Sequence, residues 1–418
     1  MKYILVIGDG MADEKLPELK NQTPLEFLNL PAFNRCAGSY LGRVRTVPAG
    51  VAPGSDTAML SIFGNDPCKC YTGRSVLEAA GMNVEVPQGS VSFRVNLCAI
   101  TVDADGERRI QIHNGGNIHG QQALDIMCAL LNDAPFSELM DKACMEITPT
   151  DTFRHIAVVS NGVTDISSIL FTEPHNVLGE RVADHMPKMI RETNDQAAVR
   201  LCELVSAMME RSYEVLKNHP INQARMAAGE LPANMIWPWG AATAMKLPSF
   251  EEQFGHKGSV ISAVPIVWGI AALGGLKTPH VEGANGDIDT NYEGKVQTLL
   301  NALRGGDDFA AIHSEAPDEM AHAGNLEKKL IAIQNVCFRM LQPIMDAMDE
   351  SGEDYRLLLM PDHPTPLSTR GHDGTPVPYA IYDSRRPGQP RKYSESEAMK
   401  TPLTDPGTLL MKILFEQL

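Results

Sequence analysis

Residues 3–10 read Tyr-Ile-Leu-Val-Ile-Gly-Asp-Gly, an apolar run from Tyr3 to Ile7 that stops at Gly8-Asp9-Gly10. An apolar run without alternation is the signature of a strand covered on both faces, as in a parallel sheet. In such a sheet ligands gather beyond the carboxyl ends of the strands, which is where Asp9 falls. The same pattern recurs. Ala233–Trp237 leads into Pro238-Trp239-Gly240, and Ser259–Val264 precedes a helical stretch. Asp308–His313 ends in Ser-Glu315-Ala-Pro-Asp318, Tyr355–Met360 ends in Pro-Asp362-His363-Pro, and Pro378–Tyr382 follows His372. Helical patterns such as Leu326–Met348 lie between them. Strands alternating with helices predict an α/β fold, a mostly parallel sheet sandwiched by helices.

The middle of the chain reads differently. Val91–Thr101 and Arg109–His113 flank an Asp103-Ala-Asp105-Gly106 turn, Gln121–Leu131 has helical spacing, Asp151–Val159 is strand-like, and Asn194–Lys217 is a polar amphipathic helix. Few Asp or His residues stand at strand ends here. This region is expected to be a smaller inserted α+β domain at 86–230, with 1–85 and 231–418 forming the core.

The chain has 418 residues, which suits two or three domains. Lys plus Arg is 36 against 52 for Asp plus Glu, a formal net charge of −16. That balance gives no attraction to nucleic acid or to anionic membranes, so an anionic substrate must be held by local cations or metal ions. The eight cysteines are scattered, and Cys68-Lys-Cys70 is the one close pair, which predicts free thiols in a reducing compartment. The apolar stretch Val260–Leu276 carries Ser262, Pro265, Gly269, Gly274 and Gly275, and reads as strand, turn and buried helix rather than a membrane span. Residues 1–14 lack a signal-peptide pattern, and a soluble cytoplasmic protein is expected.

Asp318 and His322 follow Pro317 at i and i+4, on one face of a helix start, spaced to share a cation or to form a simple surface pair. Asp362-His363 sits in a rigid turn at a strand end, His372 follows nine residues on, and Asp9 closes the first strand. Three Asp and three His at strand ends and first helical turns fit a two-metal site, and mixed oxygen and nitrogen ligands suit Mn²⁺, Zn²⁺ or Mg²⁺. Pro53-Gly54-Ser55-Asp56 opens a short helix that ends at Gly64. Ser55 or Asp56 could be an N-cap. A helix start also faces an anion with free N–H groups, and a serine beside metal ions can attack phosphorus.

Taken in order, Gly8-Asp9-Gly10, Pro-Gly-Ser55-Asp, Tyr71-Thr-Gly-Arg74-Ser-Val-Leu-Glu-Ala-Ala-Gly81, Pro174-His-Asn-Val-Leu-Gly179, Leu247-Pro-Ser-Phe250, Val281-Glu-Gly283, Ala316-Pro-Asp-Glu319, Pro361-Asp-His363 and His372…Pro-Val-Pro378 span nearly the whole chain. Together they resemble the archaeal-type cofactor-independent (2,3-bisphosphoglycerate-independent) phosphoglycerate mutases of the alkaline phosphatase superfamily. The resemblance implies an alkaline-phosphatase-like core and a phosphoserine at Ser55. It implies one metal held by Asp9, Ser55, Asp362 and His363 and a second held by Asp318, His322 and His372, with Mn²⁺ foremost. The implied reaction moves the phosphoryl group of 3-phosphoglycerate to Ser55 and back to the 2-hydroxyl of the retained glycerate. The resemblance also implies a small phosphorylated substrate, for which Arg74 and Arg94 are candidate anion grips.

The chain departs from that pattern where substrate is expected. Asn114-Gly-Gly-Asn117-Ile118 has no Arg, Glu315 stands where a Lys is usual, and Trp237-Pro-Trp239-Gly240 replaces an Arg-Gly element. Forked Arg contacts hold anions well, whereas Glu315 suits an ammonium-bearing substrate. A bacterial branch that this chain also resembles is proposed to phosphorylate homoserine with ATP. Two alternatives therefore accompany the mutase reading: a homoserine kinase, and a phosphatase in which water intercepts the phosphoserine.

Overall fold

The computed structural model describes residues 1–416, which divide into two compact units, 1–71 with 246–416, and 72–245. The first unit is built on a seven-stranded sheet in the order Gly258–Ile261, Phe309–Ser314, Lys2–Gly8, Tyr355–Met360, Val377–Asp383, Tyr40–Val44, Leu403–Thr404. The first four strands run parallel, Val377–Asp383 is antiparallel to both of its neighbours, and Leu403–Thr404 is parallel to Tyr40–Val44. The mostly parallel sheet expected from the uninterrupted apolar runs is what forms. Ile4, Val6, Ala310, Ile312, Leu357 and Leu359 pack on one face against the helices Pro31–Ser39, Tyr292–Arg304 and Gln342–Ser351. On the other face Phe309 stacks on Phe250 with ring centroids 4.9 Å apart and meets Phe63 edge-on. The helical run read at Leu326–Met348 extends over Leu326–Ser351 and contains a π-helical stretch at Val336–Leu341.

Gly258–Ile261 is a strand and Pro265–Leu273 a largely buried helix, and no helix among the described residues is long and apolar enough to cross a membrane. All eight cysteines are free.

The second unit is an antiparallel sheet centred on the twelve-residue strand Val91–Val102, which pairs with Arg108–Ile112, Arg154–Val159 and Met235–Thr243. Met145–Thr148 pairs with Arg154–Val159 at its edge. The helices Gln121–Leu131, Ala134–Ala143 and Gln196–Leu216 bury their apolar faces in this unit's own core. Its limits lie outside the 86–230 read from the sequence. The helix Arg74–Gly81 belongs to it because Ser75 Oγ donates to Ser92 O at 3.0 Å and Ala79 packs with Ile156 and Val158. Residues 233–237, read above as one of the core strands, instead lead into Met235–Thr243, which is hydrogen-bonded along Val91–Cys98. An apolar run looks alike in either sheet, and only its pairing decides which it joins.

Candidate active site

The chemistry-bearing side chains converge at the carboxyl ends of the parallel strands of the first unit. Asp9 leaves the first strand, and Gly10 follows with φ +59°. A Cβ there would lie 2.5 Å from Asp318 Oδ1 and 2.6 Å from Thr365 Oγ1, so only glycine fits. Gly10 N donates to Asp362 Oδ1 at 3.1 Å and His363 N donates to the same oxygen at 2.8 Å. Asp9 Oδ2 takes a hydrogen bond from His313 Nε2 at 2.9 Å. Each carboxylate thus has one oxygen tied down. The other oxygens, Asp9 Oδ1 and Asp362 Oδ2, are buried and accept no hydrogen bond. Two orphaned buried carboxylate oxygens are costly unless a cation meets them.

Asp9, Asp362 and His363 can bring one ligand atom each to within 4.8 Å of one another, as can Asp318, His322 and His372. In the second group His322 Nδ1–H donates to Arg370 O at 2.8 Å, and its Nε2 faces His372 Nε2 at 3.0 Å and Asp318 Oδ2 at 3.0 Å. Thr365 Oγ1 donates to Asp318 Oδ1. Two converging imidazole nitrogens and one carboxylate fit a transition-type divalent ion, and the carboxylate-rich group fits a divalent ion equally well.

The electrostatics agree. Burial, then the neighbouring Asp362, Asp318 and Glu315 carboxylates, hold Asp9 well above the usual range. Burial also works against Asp318, but hydrogen bonds from His322 and His372 outweigh it and hold Asp318 well below the usual range. The Asp318 contact raises His322 to about 9, while burial pushes His313 down to about 3. Negative charge is concentrated here without enough cationic side chains to offset it.

Ser55 is the first residue of the helix Ser55–Ile62, with Gly54 rather than Ser55 or Asp56 at the N-cap. Its Oγ lies 3.2 Å from His363 Nε2 and 3.5 Å from Asp9 Oδ2. Asp56 is turned to other work, accepting from Tyr71 Oη and from Thr57 N. All seven residues singled out for metal binding and nucleophilic attack lie in this one unit: Asp9, Asp362 and His363 just beyond strand ends, Ser55 and Asp318 in first helical turns, His322 at the last residue of Ala316–His322, and His372 in the loop before Val377–Asp383.

Glu315 stands half-buried at the N-cap of the helix Ala316–His322 without a side-chain capping bond, and its carboxylate adds to the field on Asp9. Lys295, only 1% exposed, donates to His313 O at 3.3 Å, and burial outweighs Glu315 in lowering it to about 8. In the second unit Arg94 is buried, 3.0 Å from Glu78, with its guanidinium 4.1 Å over the Trp239 ring. Arg74 is 45% exposed and 3.3 Å from the same Glu78. Asn114–Asn117 is a turn closed on itself, with Asn117 N donating to Asn114 Oδ1 and Arg225 bonded to the carbonyls of Gly115 and Gly116. Sequence reasoning missed His313, Thr365 and Lys295. His313 sits within a stretch that reads as a strand, and only the strand order shows it beside Asp9.

Residues 37–222 match the family model described as 2,3-bisphosphoglycerate-independent phosphoglycerate mutase. A protein from Geobacter sulfurreducens, named as a probable 2,3-bisphosphoglycerate-independent phosphoglycerate mutase, is 40% identical over the full length of both chains. The 2,3-bisphosphoglycerate-independent phosphoglycerate mutase of Methanothrix thermoacetophila is 39% identical, over 92% of this chain and 91% of its own. The solved structure of a Pyrococcus horikoshii protein superposes with a TM-score of 0.76 at 26% identity, covering 99% of this chain and 96% of that one. Fold and site thus define an α/β protein with a serine hydroxyl beside Asp9 and His363 and two groups of side chains that could each hold a metal ion. The chain belongs to the 2,3-bisphosphoglycerate-independent phosphoglycerate mutase family.

Proposed function

We propose that this protein interconverts 3-phosphoglycerate and 2-phosphoglycerate, with Ser55 carrying the phosphoryl group between the two hydroxyls. The observation that carries the reading is the position of Ser55 Oγ, 3.2 Å from His363 Nε2 and at the head of a helix beside two groups of ligating side chains. Asp9, Ser55, Asp362 and His363 would hold one divalent ion, and Asp318, His322 and His372 a second, with Mn²⁺ the first choice for mixed oxygen and nitrogen donors and Mg²⁺ or Zn²⁺ the alternatives. When bound, the ions supply the positive charge that the carboxylates lack and favour the alkoxide of Ser55.

Ser55 Oγ forms the bond to phosphorus as the bond from phosphorus to the C3 oxygen breaks, and that oxygen leaves with a proton as glycerate stays bound. The 2-hydroxyl then loses its proton and attacks the phosphoserine, which returns Ser55 to its free form. The helix Ser55–Ile62 would present the positive end of its dipole to the phosphoryl group on Ser55. Arg74 and Arg94 are assigned to recognition of the substrate's anionic groups. Arg74 is the more exposed of the two, and Arg94 is stacked on Trp239 and ion-paired with Glu78. We assign the protein to the cytoplasm, where a small phosphorylated substrate of this kind is available.

One observation favours a second reading. Glu315 places a carboxylate close enough to burden Asp9, which suits an ammonium group on the acceptor and hence phosphorylation of homoserine by ATP. Phosphorus NMR separates the two. Purified protein with Mn²⁺ and 3-phosphoglycerate is expected to yield 2-phosphoglycerate. A new phosphomonoester formed only from ATP and homoserine would overturn the mutase reading, and inorganic phosphate in both reactions would identify a phosphatase. Ser55→Ala should abolish turnover while leaving the remaining ligands in place. Robust turnover by that variant would exclude a phosphoserine.

A further inference from the structure

The geometry points to His313 as a positioning residue. Through a fixed chain of hydrogen bonds from Val264 N and Ser262 it holds Asp9 so that one carboxylate oxygen alone is presented to a cation. The inference rests on the reading of Asp9 as a metal ligand and adds a residue that no sequence pattern had marked.

The direction of each bond follows from donor chemistry. Val264 N–H can only donate, and its partner is Ser262 Oγ at 3.1 Å. Ser262 Oγ is also 3.1 Å from His313 Nδ1, and because an ionised Asp9 carboxylate can only accept, the His313 proton belongs on Nε2 and the Ser262 hydroxyl donates to Nδ1. His313 therefore carries its proton on Nε2 and donates it to Asp9 Oδ2 at 2.9 Å. The opposite oxygen, Asp9 Oδ1, is left buried without a hydrogen bond, 3.7 Å from the Nε2 of His363 in the same ligand group. The array is rigid. Ser262 is fully buried and His313 and Asp9 are each 1% exposed. Adjacent parallel strands set the register Ile7 with His313 and Gly8 with Ser314, and Asp9 N bonds to Ser314 O at 2.9 Å. Lys295 Nζ fixes the His313 carbonyl from the helix side at 3.3 Å.

Partners of this kind orient a ligating carboxylate and commonly contribute roughly 10–100-fold in metal affinity. Asp318, His322 and His372 receive no hydrogen bond from the His313 ring, so they form an internal control. The test is Mn²⁺ binding followed by electron paramagnetic resonance and calorimetry on the wild type, His313→Leu, His313→Gln and Ser262→Ala. His313→Leu is expected to weaken one of two sites by roughly 10–100-fold and leave the other unchanged. His313→Gln, whose amide can still donate to Asp9, should recover most of the loss. Nitrogen NMR of the wild-type holoenzyme tests the same point without a variant, and the Nε2–H tautomer of His313 is expected. Equal Mn²⁺ affinity in His313→Leu, or an Nδ1–H tautomer in the wild type, would overturn the inference alone. Failure of the wild type to bind Mn²⁺ would overturn the metal-site reading and this inference with it.

Discussion

Lys329 Nζ donates to Asp13 Oδ2 at 2.7 Å, and neither side chain is exposed. The other two ammonium bonds go to Ala12 O at 3.4 Å and Thr365 O at 2.8 Å. One buried cation thus ties the loop that carries Asp9 and Gly10 to the loop that carries Asp362 and His363. Burial alone would push Lys329 down, and Asp13 opposes it.

Lys329→Met leaves the Asp13 carboxylate buried without its partner, a change that typically costs about 3–5 kcal/mol. Urea unfolding should show this loss, and Mn²⁺ binding to the folded variant should weaken. The double variant Asp13→Asn/Lys329→Met should recover part of the stability. Wild-type stability in Lys329→Met would show that the pair contributes nothing net.

Gly10→Ala should fail in a different way. The left-handed conformation alone costs about 1 kcal/mol or more for alanine, and the added Cβ would meet Asp318 and Thr365. Thermal unfolding is expected to fall by several degrees, and Mn²⁺ affinity should drop at the group that contains Asp318. A variant with unchanged metal binding would show that this loop yields.

His155 gives a pH prediction in the second unit. It is fully buried, its Nδ1 accepts from Thr150 N at 3.0 Å, and burial pushes it down from 6.5 to about 4. The folded value lies below the unfolded one, so the neutral ring favours the folded state. That contribution is complete above pH 6.5 and is lost as pH falls toward 4. Denaturant midpoints measured between pH 7 and pH 4.5 should fall with acid, and His155→Gln, which keeps an acceptor for Thr150 N, should flatten the slope. An identical slope in the variant would assign the acid sensitivity elsewhere.

Glu315→Lys reverses the charge beside Asp9. We expect a KM for 3-phosphoglycerate lowered several-fold, and weaker use of any amine-bearing acceptor. Steady-state kinetics with both substrates decide it, and no change in either would place Glu315 outside substrate recognition.

Much of the first unit was legible because its strands are covered on both faces. Tyr3–Ile7 and Tyr355–Met360 can only be buried, and the polar residues that follow them must serve a purpose at the sheet's edge. The short strands Tyr40–Val44 and Met145–Thr148 were not legible, since short strands that mix exposed and buried positions carry no clear period. His313 was unreadable for another reason. Its meaning comes from the parallel strand beside it, 304 residues away in the chain, and from Ser262 on a third element. Arg94 was read as an anion grip, and a single sequence does not show that Glu78 and Trp239 already enclose it.

The order of the central strands has a consequence for biosynthesis. Lys2–Gly8 is translated some three hundred residues before both of its partners, Phe309–Ser314 and Tyr355–Met360, which emerge from the ribosome last among the sheet's long parallel strands. Through most of translation the nascent amino-terminal segment has an adhesive apolar edge and nothing to zip to, whereas Thr72–Met245 can close on itself midway. Expression of this protein should therefore be sensitive to chaperone supply, and truncation near residue 350 should yield aggregates rather than a folded fragment of the core.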